Sequence, residues 1–323
     1  MNNPYLKSLE PIWEAPKFVF VDGERLKEAA KDFAREELKT PNWRELVLPK
    51  KDDKVFVDFL GLNSAVNFCF TDPWTKKKFQ TEYKGKLLSG TFAMSACLMR
   101  VLEEGIPILD YGWLKSASLD DMQSIFRGLT PMPLLPERLE IFHEVGEVLE
   151  RKYGGHFYNL FEKARYRAFT AERSGIVDRL IRDFPSFWDV SWHEPSRDFL
   201  QFHKRAQLYV LMYQGRALDS KGKLSLIVDA ENLGPPADYR IPQALKKLGI
   251  LRYESSLEKR IMAQKIIQKD SLEEQEIRAQ MTYAMVKLCE LLNTWIGPVD
   301  YKVWSAGAKM KKGVHHLTPT TAY

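Results

Sequence analysis

The chain has 323 residues, 45% hydrophobic and 28% charged, with 48 Lys and Arg against 43 Asp and Glu for a net charge of +5. A length and composition of this kind suit a soluble globular protein with a large core, built as one big domain or two packed ones. No apolar run approaches the ~20 residues of a membrane span and Met1–Pro16 lacks the regions of a secretory signal, so a cytoplasmic protein without an anchor is expected.

The elements read as helix almost throughout. Asp22 is a good N-cap for a helix over 23–39, which ends before Pro41. Val55–Phe70 is apolar and reads equally as strand or buried helix, since periodicity does not arbitrate there. A helix is predicted over Leu87–Glu104, with the small residues Gly90, Ala93, Ser95 and Ala96 on a packed face and Gly105 ending it. Ser118 caps a short helix, with Asp121 completing a capping box. After the stiff bridge Pro131, Pro133 and Pro136, a long helix over Glu137–Tyr153 stops at Gly154-Gly155. Helices are then predicted over Phe157–Arg173, Gly175–Asp183 and Asp198 to Gln214, with a turn or hairpin at Arg216–Gly222. Helix returns over Ile241–Leu248, Ser256–Gln268 and Glu273–Trp295; Pro298 is expected to break the last, and Asp300 to cap the next. No repeat or long linker divides the chain, so residues 1–323 are expected to form one α-rich unit.

Cys69, Cys97 and Cys289 form no CxxC pair and are expected to be buried thiols. The six His lack ligand spacing, and no Walker loop or GxGxxG follows a strand, so neither a metal nor a cofactor is expected. The basic runs Lys76–Lys78 and Lys309–Lys312 read as solvated faces, and a mild +5 charge favours a small anionic ligand over nucleic acid. Lys204-Arg205, set between apolar residues, is a core-edge pair or a phosphate clamp. Asp238-Tyr239 and Asp300-Tyr301 are each an acid before an aromatic. The plain reading is two helix N-caps worth ~1 kcal/mol each; the functional one is two carboxylates aimed into one pocket.

Several stretches occur in a telling order: VNFCF (Val66–Phe70), EEGIPI (Glu103–Ile108), Pro133–Phe157, FPSFWDV (Phe184–Val190), FHKRAQ (Phe202–Gln207), Ala237–Leu251, EIR (Glu276–Arg278) and Asp300 to Trp304. Together they resemble the queuosine-salvage family, the queuosine 5'-phosphate N-glycosylases, over roughly residues 60–323, with the first ~60 poorly matched. The resemblance implies a mainly α, multi-helix fold with a short β element, similar to helix-hairpin-helix DNA glycosylases. It also implies hydrolysis of a free nucleotide, queuosine 5'-phosphate, to queuine and ribose 5-phosphate. A 7-deazapurine has no N7 to protonate, so such an enzyme must stabilise positive charge at C1', which a carboxylate in a dry pocket does well.

Carried over, Asp300 matches the catalytic aspartate and Asp238 an acid that recognises the base. Asn67 and Phe68 match a pocket-lining segment, with Phe68 as a stacking face, and Tyr239 and Trp304 complete the substrate-binding set. Lys204 or Arg205 is assigned to the 5'-phosphate from charge and placement alone. The chain departs from the family pattern at Pro236, where an aromatic is usual, at Ser305, where a second Asp is usual, and at Leu48-Pro49, usually His-Pro. Loss of the acid at Ser305 should lower the Asp300 pKa. These departures leave room for a related deazapurine nucleotide, for a non-catalytic binder of the base, and for a nucleic-acid-binding helical protein.

Overall fold

Fourteen α-helices and six short strands make up the described residues, 2–308 and 314–323, of the computed structural model. The basic run Lys309–Lys312 lies outside them. The chain is mainly α, and its β content is three two-stranded antiparallel sheets. Val19–Val21 pairs with Leu251–Tyr253, Gln80–Tyr83 with Lys86–Ser89, and Val190–His193 with Asp198–Gln201.

Local chemistry accounts for most helix starts. Asp22 accepts the N–H groups of Glu24 and Arg25 to begin Gly23–Ala34, and Ser118 with Asp121 forms the expected capping box. Gly154 takes the left-handed conformation that ends Leu135–Tyr153. The ambiguous apolar run is a buried helix, Lys54–Ala65, followed by irregular backbone to Phe70.

Several expectations shift; the helix from Ser255, for one, stops at Met262 rather than Gln268, and the one from Gly23 stops at Ala34. Leu87–Ser89 is strand, and the helix begins at Thr91 because Gly90, at φ 62°, breaks the two apart. The helix from Phe157 stops at Lys163, since Asp229 and Asp178 hold the N–H groups of Ala168, Phe169 and Thr170 in a loop. Asp198–Gln201 is strand, and helix Lys204–Asp219 then runs through Arg216, so that the predicted turn begins only at Ser220. Asp300 caps nothing: Pro298 sits in the first turn of Ile296–Ala308, where its missing N–H costs no bond, and Asp300 lies one turn inside.

The core is one packed cluster running from Tyr5 to Val303. Its unusual component is cationic. Arg138, Arg205, Arg216 and Arg278 are all fully buried, and three of them donate chiefly to backbone carbonyls. Arg138 donates to the carbonyls of Val66, Phe68 and Cys69 at 3.2, 2.6 and 3.4 Å, and Arg205 to those of Ala65 and Ser186. Arg216 donates to the carbonyls of Asn42, Trp43 and Pro49 and to Asp52.

The EIR motif is a pair of anchors. Glu276 accepts the N–H groups of Lys17, Phe18 and Val19, tying the first strand to helix Leu272–Leu291. Arg278 grips Asp189 through two bonds of 2.9 and 2.6 Å and donates to the carbonyl of Ala237. Removing one partner of a buried pair strands the other charge, so Arg278→Met is expected to lower stability by ~3–5 kcal/mol in urea denaturation. A loss under ~1 kcal/mol, the scale of an exposed pair, would reject this role.

Candidate active site

The anchored loops converge on a cavity of about 240 Å³. Arg216 holds the 42–49 loop, which brings Trp43 and Leu48 to the wall; the cations on carbonyls 65–69 present Asn67 and Phe70. The Thr91–Glu103 helix contributes its first turn, Pro236 to Arg240 a loop and helix start, and the Ile296–Ala308 helix Asp300, Tyr301 and Trp304. Tyr323 closes one side, fixed by its carbonyl to the Cys69 N–H at 2.9 Å and by its ring against Arg278.

Asp300 is buried and accepts no hydrogen bond from any described residue. Burial pushes its carboxyl up to about 8, the nearby Asp238 charge adds to the rise, and Lys204 opposes it. The missing acid at Ser305 therefore does not leave Asp300 low. Asp238 does cap a helix: its Oδ1 accepts the N–H groups of Arg240 and Ile241 at 2.8 and 2.9 Å. Its other oxygen accepts no bond among the described residues, and burial raises its pKa against the pull of Lys204. The plain and functional readings of Asp238 thus hold for different oxygens of one carboxyl.

Lys204 is buried and donates to the Asn67 carbonyl at 3.0 Å and to Asn67 Oδ1 at 3.3 Å, with no ion-pair contact to either acid. Burial draws its pKa down to about 8, and Asp238 works against that. Asn67 Nδ2 in turn donates to Thr91 Oγ1 at 3.0 Å. Two carboxyls and one ammonium share this end of the cavity, so full ionisation leaves one negative charge unmatched.

Trp43, Tyr301, Trp304 and Phe92 form a linked aromatic wall, with ring centroids 6.2, 6.4 and 5.8 Å apart and Tyr301 nearly parallel to Trp304. The Tyr239 ring lies 4.3 Å from that of His315 at a tilt of 31° and lines the same cavity.

Of the sequence-predicted residues, the structure brings together Asn67, Lys204, Pro236, Asp238, Tyr239, Asp300 and Trp304. It does not bring Phe68, Arg205 or Ser305. Phe68 turns back into the core beneath Arg138, whose guanidinium lies 4.0 Å from its ring, and Phe70 of the same run lines the cavity instead. Arg205 spends its donors on backbone carbonyls and is rotated about 100° from Lys204 by helix geometry. Ser305 is five residues beyond Asp300, roughly 140° round the helix from it. Lys78 was missed as part of a solvated run; it is half-buried in the cavity wall, while Lys76 and Lys77 are exposed. Its neighbour Phe79, fully buried, was the available signal.

A profile of the family described as Queuosine salvage protein matches residues 47–311. The chain is 31% identical to the queuosine 5'-phosphate N-glycosylase/hydrolase of Sphaerobacter thermophilus, covering 98% of this chain and 97% of that protein. The chain belongs to the queuosine salvage family. Proteins of the same name from Bos taurus and Mus musculus are 30% and 31% identical, over 84% and 83% of this chain and 80% and 78% of their own. The family profile begins at residue 47, while the alignment with the Sphaerobacter protein reaches nearly the whole chain.

Membership leaves Asp300 with a measurable signature. Unfolded, its carboxyl ionises near the ordinary 3.8; folded, it holds its proton up to about 8. Folding therefore loses stability as pH rises through that window. Asp300→Asn is expected to raise the melting temperature at pH 8 and to lose that advantage toward pH 4. An equal difference at both pH values would rule out a strained carboxylate.

Proposed function

We propose that this family member hydrolyses the N-glycosidic bond of queuosine 5'-phosphate, releasing queuine and ribose 5-phosphate. The reading is supported by the name its relatives carry and, above all, by one observation: Asp300 is a buried carboxyl that no described donor partners. As the C1'–N bond breaks, the base leaves with the electron pair and C1' becomes cationic. A water oxygen then bonds C1', and one water proton ends on the base nitrogen. The unmatched negative charge of the Asp238, Asp300 and Lys204 cluster favours that cation, and in a dry cavity the effect is far larger than in water.

The aromatic wall suits the flat deazapurine. The free oxygen of Asp238 suits the N–H edge of the base or the cationic amine of its side arm. Pro236 and Leu48 both line the cavity and present apolar surface, which keeps a related deazapurine nucleotide as the alternative substrate. The core's continuity from Tyr5 to Val303 supports treating the chain as one unit. No described helix is long and apolar enough to cross a membrane. Three free, buried cysteines fit a reducing compartment such as the cytoplasm.

Purified protein incubated with queuosine 5'-phosphate, queuosine and guanosine 5'-phosphate should release free base from the first; no release from any of the three would defeat the proposal. Asp300→Asn should lower kcat by roughly 10²- to 10³-fold while still binding queuine; a fully active variant would remove Asp300 from catalysis. If ionised Asp300 is required, kcat/KM rises from pH 6 toward 8, where the free enzyme's carboxyl titrates. A profile that stays flat over that range would mean another group carries the charge.

A further inference from the structure

The chain's +5 charge is not spread evenly. Residues 151–183 hold eight Lys and Arg against four acids, so one tenth of the chain carries a net +4. Two of those acids are buried and engaged: Asp183 with Lys152, Arg182 and Tyr153, and Asp178 with Tyr5. The cations stand at the surface. They line two shallow pits that share Lys163, with Lys152, Arg179 and Arg182 on one side and Arg165 and Arg167 on the other. Of the residues lining the pits, Glu172 alone is an exposed acid. Lys163 and Arg179 donate to the carbonyls of Lys152 and Ser174, which aim the two side chains without neutralising them. Arg165 and Arg167 make no side-chain bond or ion pair with any described residue. Arg165 also holds a left-handed φ of 51°, a strained conformation for a side chain that contributes nothing to the packing.

This basic face ends in exposed aromatics. Arg182 donates to the Arg173 carbonyl at 3.2 Å, and the Arg173 guanidinium lies 4.9 Å from the Tyr5 ring. Tyr5 meets His203 at 4.7 Å, and His203 meets Trp188 at 5.4 Å. That chain of contacts joins the pits to Trp188, which is 54% exposed. From Trp188 the backbone enters strand Val190–His193, and alternation turns Trp192 outward as well. Phe199, its cross-strand partner, is exposed beside it, with the two rings edge to face at 5.1 Å. Large aromatics gathered at the surface in this way mark a contact rather than the scatter of an ordinary exterior. Glu194, which accepts the Trp192 indole N–H, and Asp198 stand at the far, turn end of the hairpin. An anion following the arginines therefore meets Trp188 first and is turned away beyond it.

We infer that this face docks single-stranded nucleic acid, with the arginines on successive phosphates and a base stacked on Trp188. Cations and an open aromatic ring side by side match a strand with a charged backbone and flat, uncovered bases. Six of the eight cations are Arg, whose planar forks take phosphate oxygens in pairs. The pits are concave, which suits a thin strand better than the flat surface of a bilayer. A duplex keeps its bases inside and offers Trp188 nothing. None of these residues lines the catalytic cavity. The face is a second site, and it stands whether or not the cavity hydrolyses nucleotides.

The test follows the fluorescence anisotropy of a labelled oligouridylate of about 12 nucleotides. It is titrated with the full chain, with the double variant Arg165→Gln and Arg167→Gln, and with Trp188→Ala and Trp188→Phe. All three positions are exposed, and circular dichroism verifies that each variant folds. The parent should bind with log affinity falling against log salt at a slope of roughly −3, as for about four phosphates on a single strand. The double Gln variant should flatten that slope by about one to two. Trp188→Ala should weaken binding roughly 5- to 100-fold at an unchanged slope, and Trp188→Phe should recover most of the loss. kcat/KM on queuosine 5'-phosphate should be the same in every variant. No binding at low salt, or binding that none of the substitutions weakens, would overturn the face. So would capture of phosphatidylserine vesicles in place of the oligonucleotide, or competition by queuosine 5'-phosphate, which would put the strand in the cavity. A parent chain that binds the strand as expected, yet cleaves no nucleotide, keeps the face and removes the hydrolase reading.

Discussion

The backbone from Val66 to Cys69 belongs to no helix and no sheet, and its four carbonyls, with that of Ala65 at the end of the preceding helix, accept from three buried cations, Arg205, Arg138 and Lys204. A buried carbonyl without a partner is costly, so irregular chain in the interior needs donors brought to it. Guanidinium groups suit this because each offers five donors in a rigid fork. Arg216 does the same for the 42–49 loop, and Arg278 fixes Ala237 just ahead of Asp238. Buried donors thereby hold three of the segments that line the cavity. That rigidity is what lets Asn67, Leu48 and Asp238 hold position in a cavity bounded by loops.

The acids of the site work against this stability. A buried carboxyl without a donor is a defect by the rules that the remainder of the core obeys, and burial beside a like charge makes it worse. Such defects persist where function needs them, because a group already satisfied by the protein has little left to offer a reacting atom. Asp238 shows a compromise within one side chain, with one oxygen spent on the helix start and the other kept free.

The legible parts of the fold were those written in short-range chemistry. Asp22, Ser118 with Asp121, and Gly154 declare their helix ends within four residues, and they lie where their chemistry puts them. Strands of three or four residues, such as Lys86–Ser89, are too short to show alternation and were absorbed into neighbouring helices. At the site, residue type was readable but direction was not. Phe68 and Phe70 differ only by which way an irregular backbone turns them, and Lys204 and Arg205 by one step of helix rotation. The position of Asp300 depended on Pro298 opening a helix rather than ending one, a distinction made by tertiary packing.

The placement of Tyr323 has a consequence for how the molecule comes into being. The cavity wall draws on Trp43 near one end of the chain and Tyr323 at the other, with Asn67, Lys204, Asp238 and Asp300 between. Contacts so distant in sequence carry the largest loop-closure cost and close late on the folding path. A chain still emerging from the ribosome can build its helices and seat its arginines, yet it has no closed cavity until residue 323 has been made.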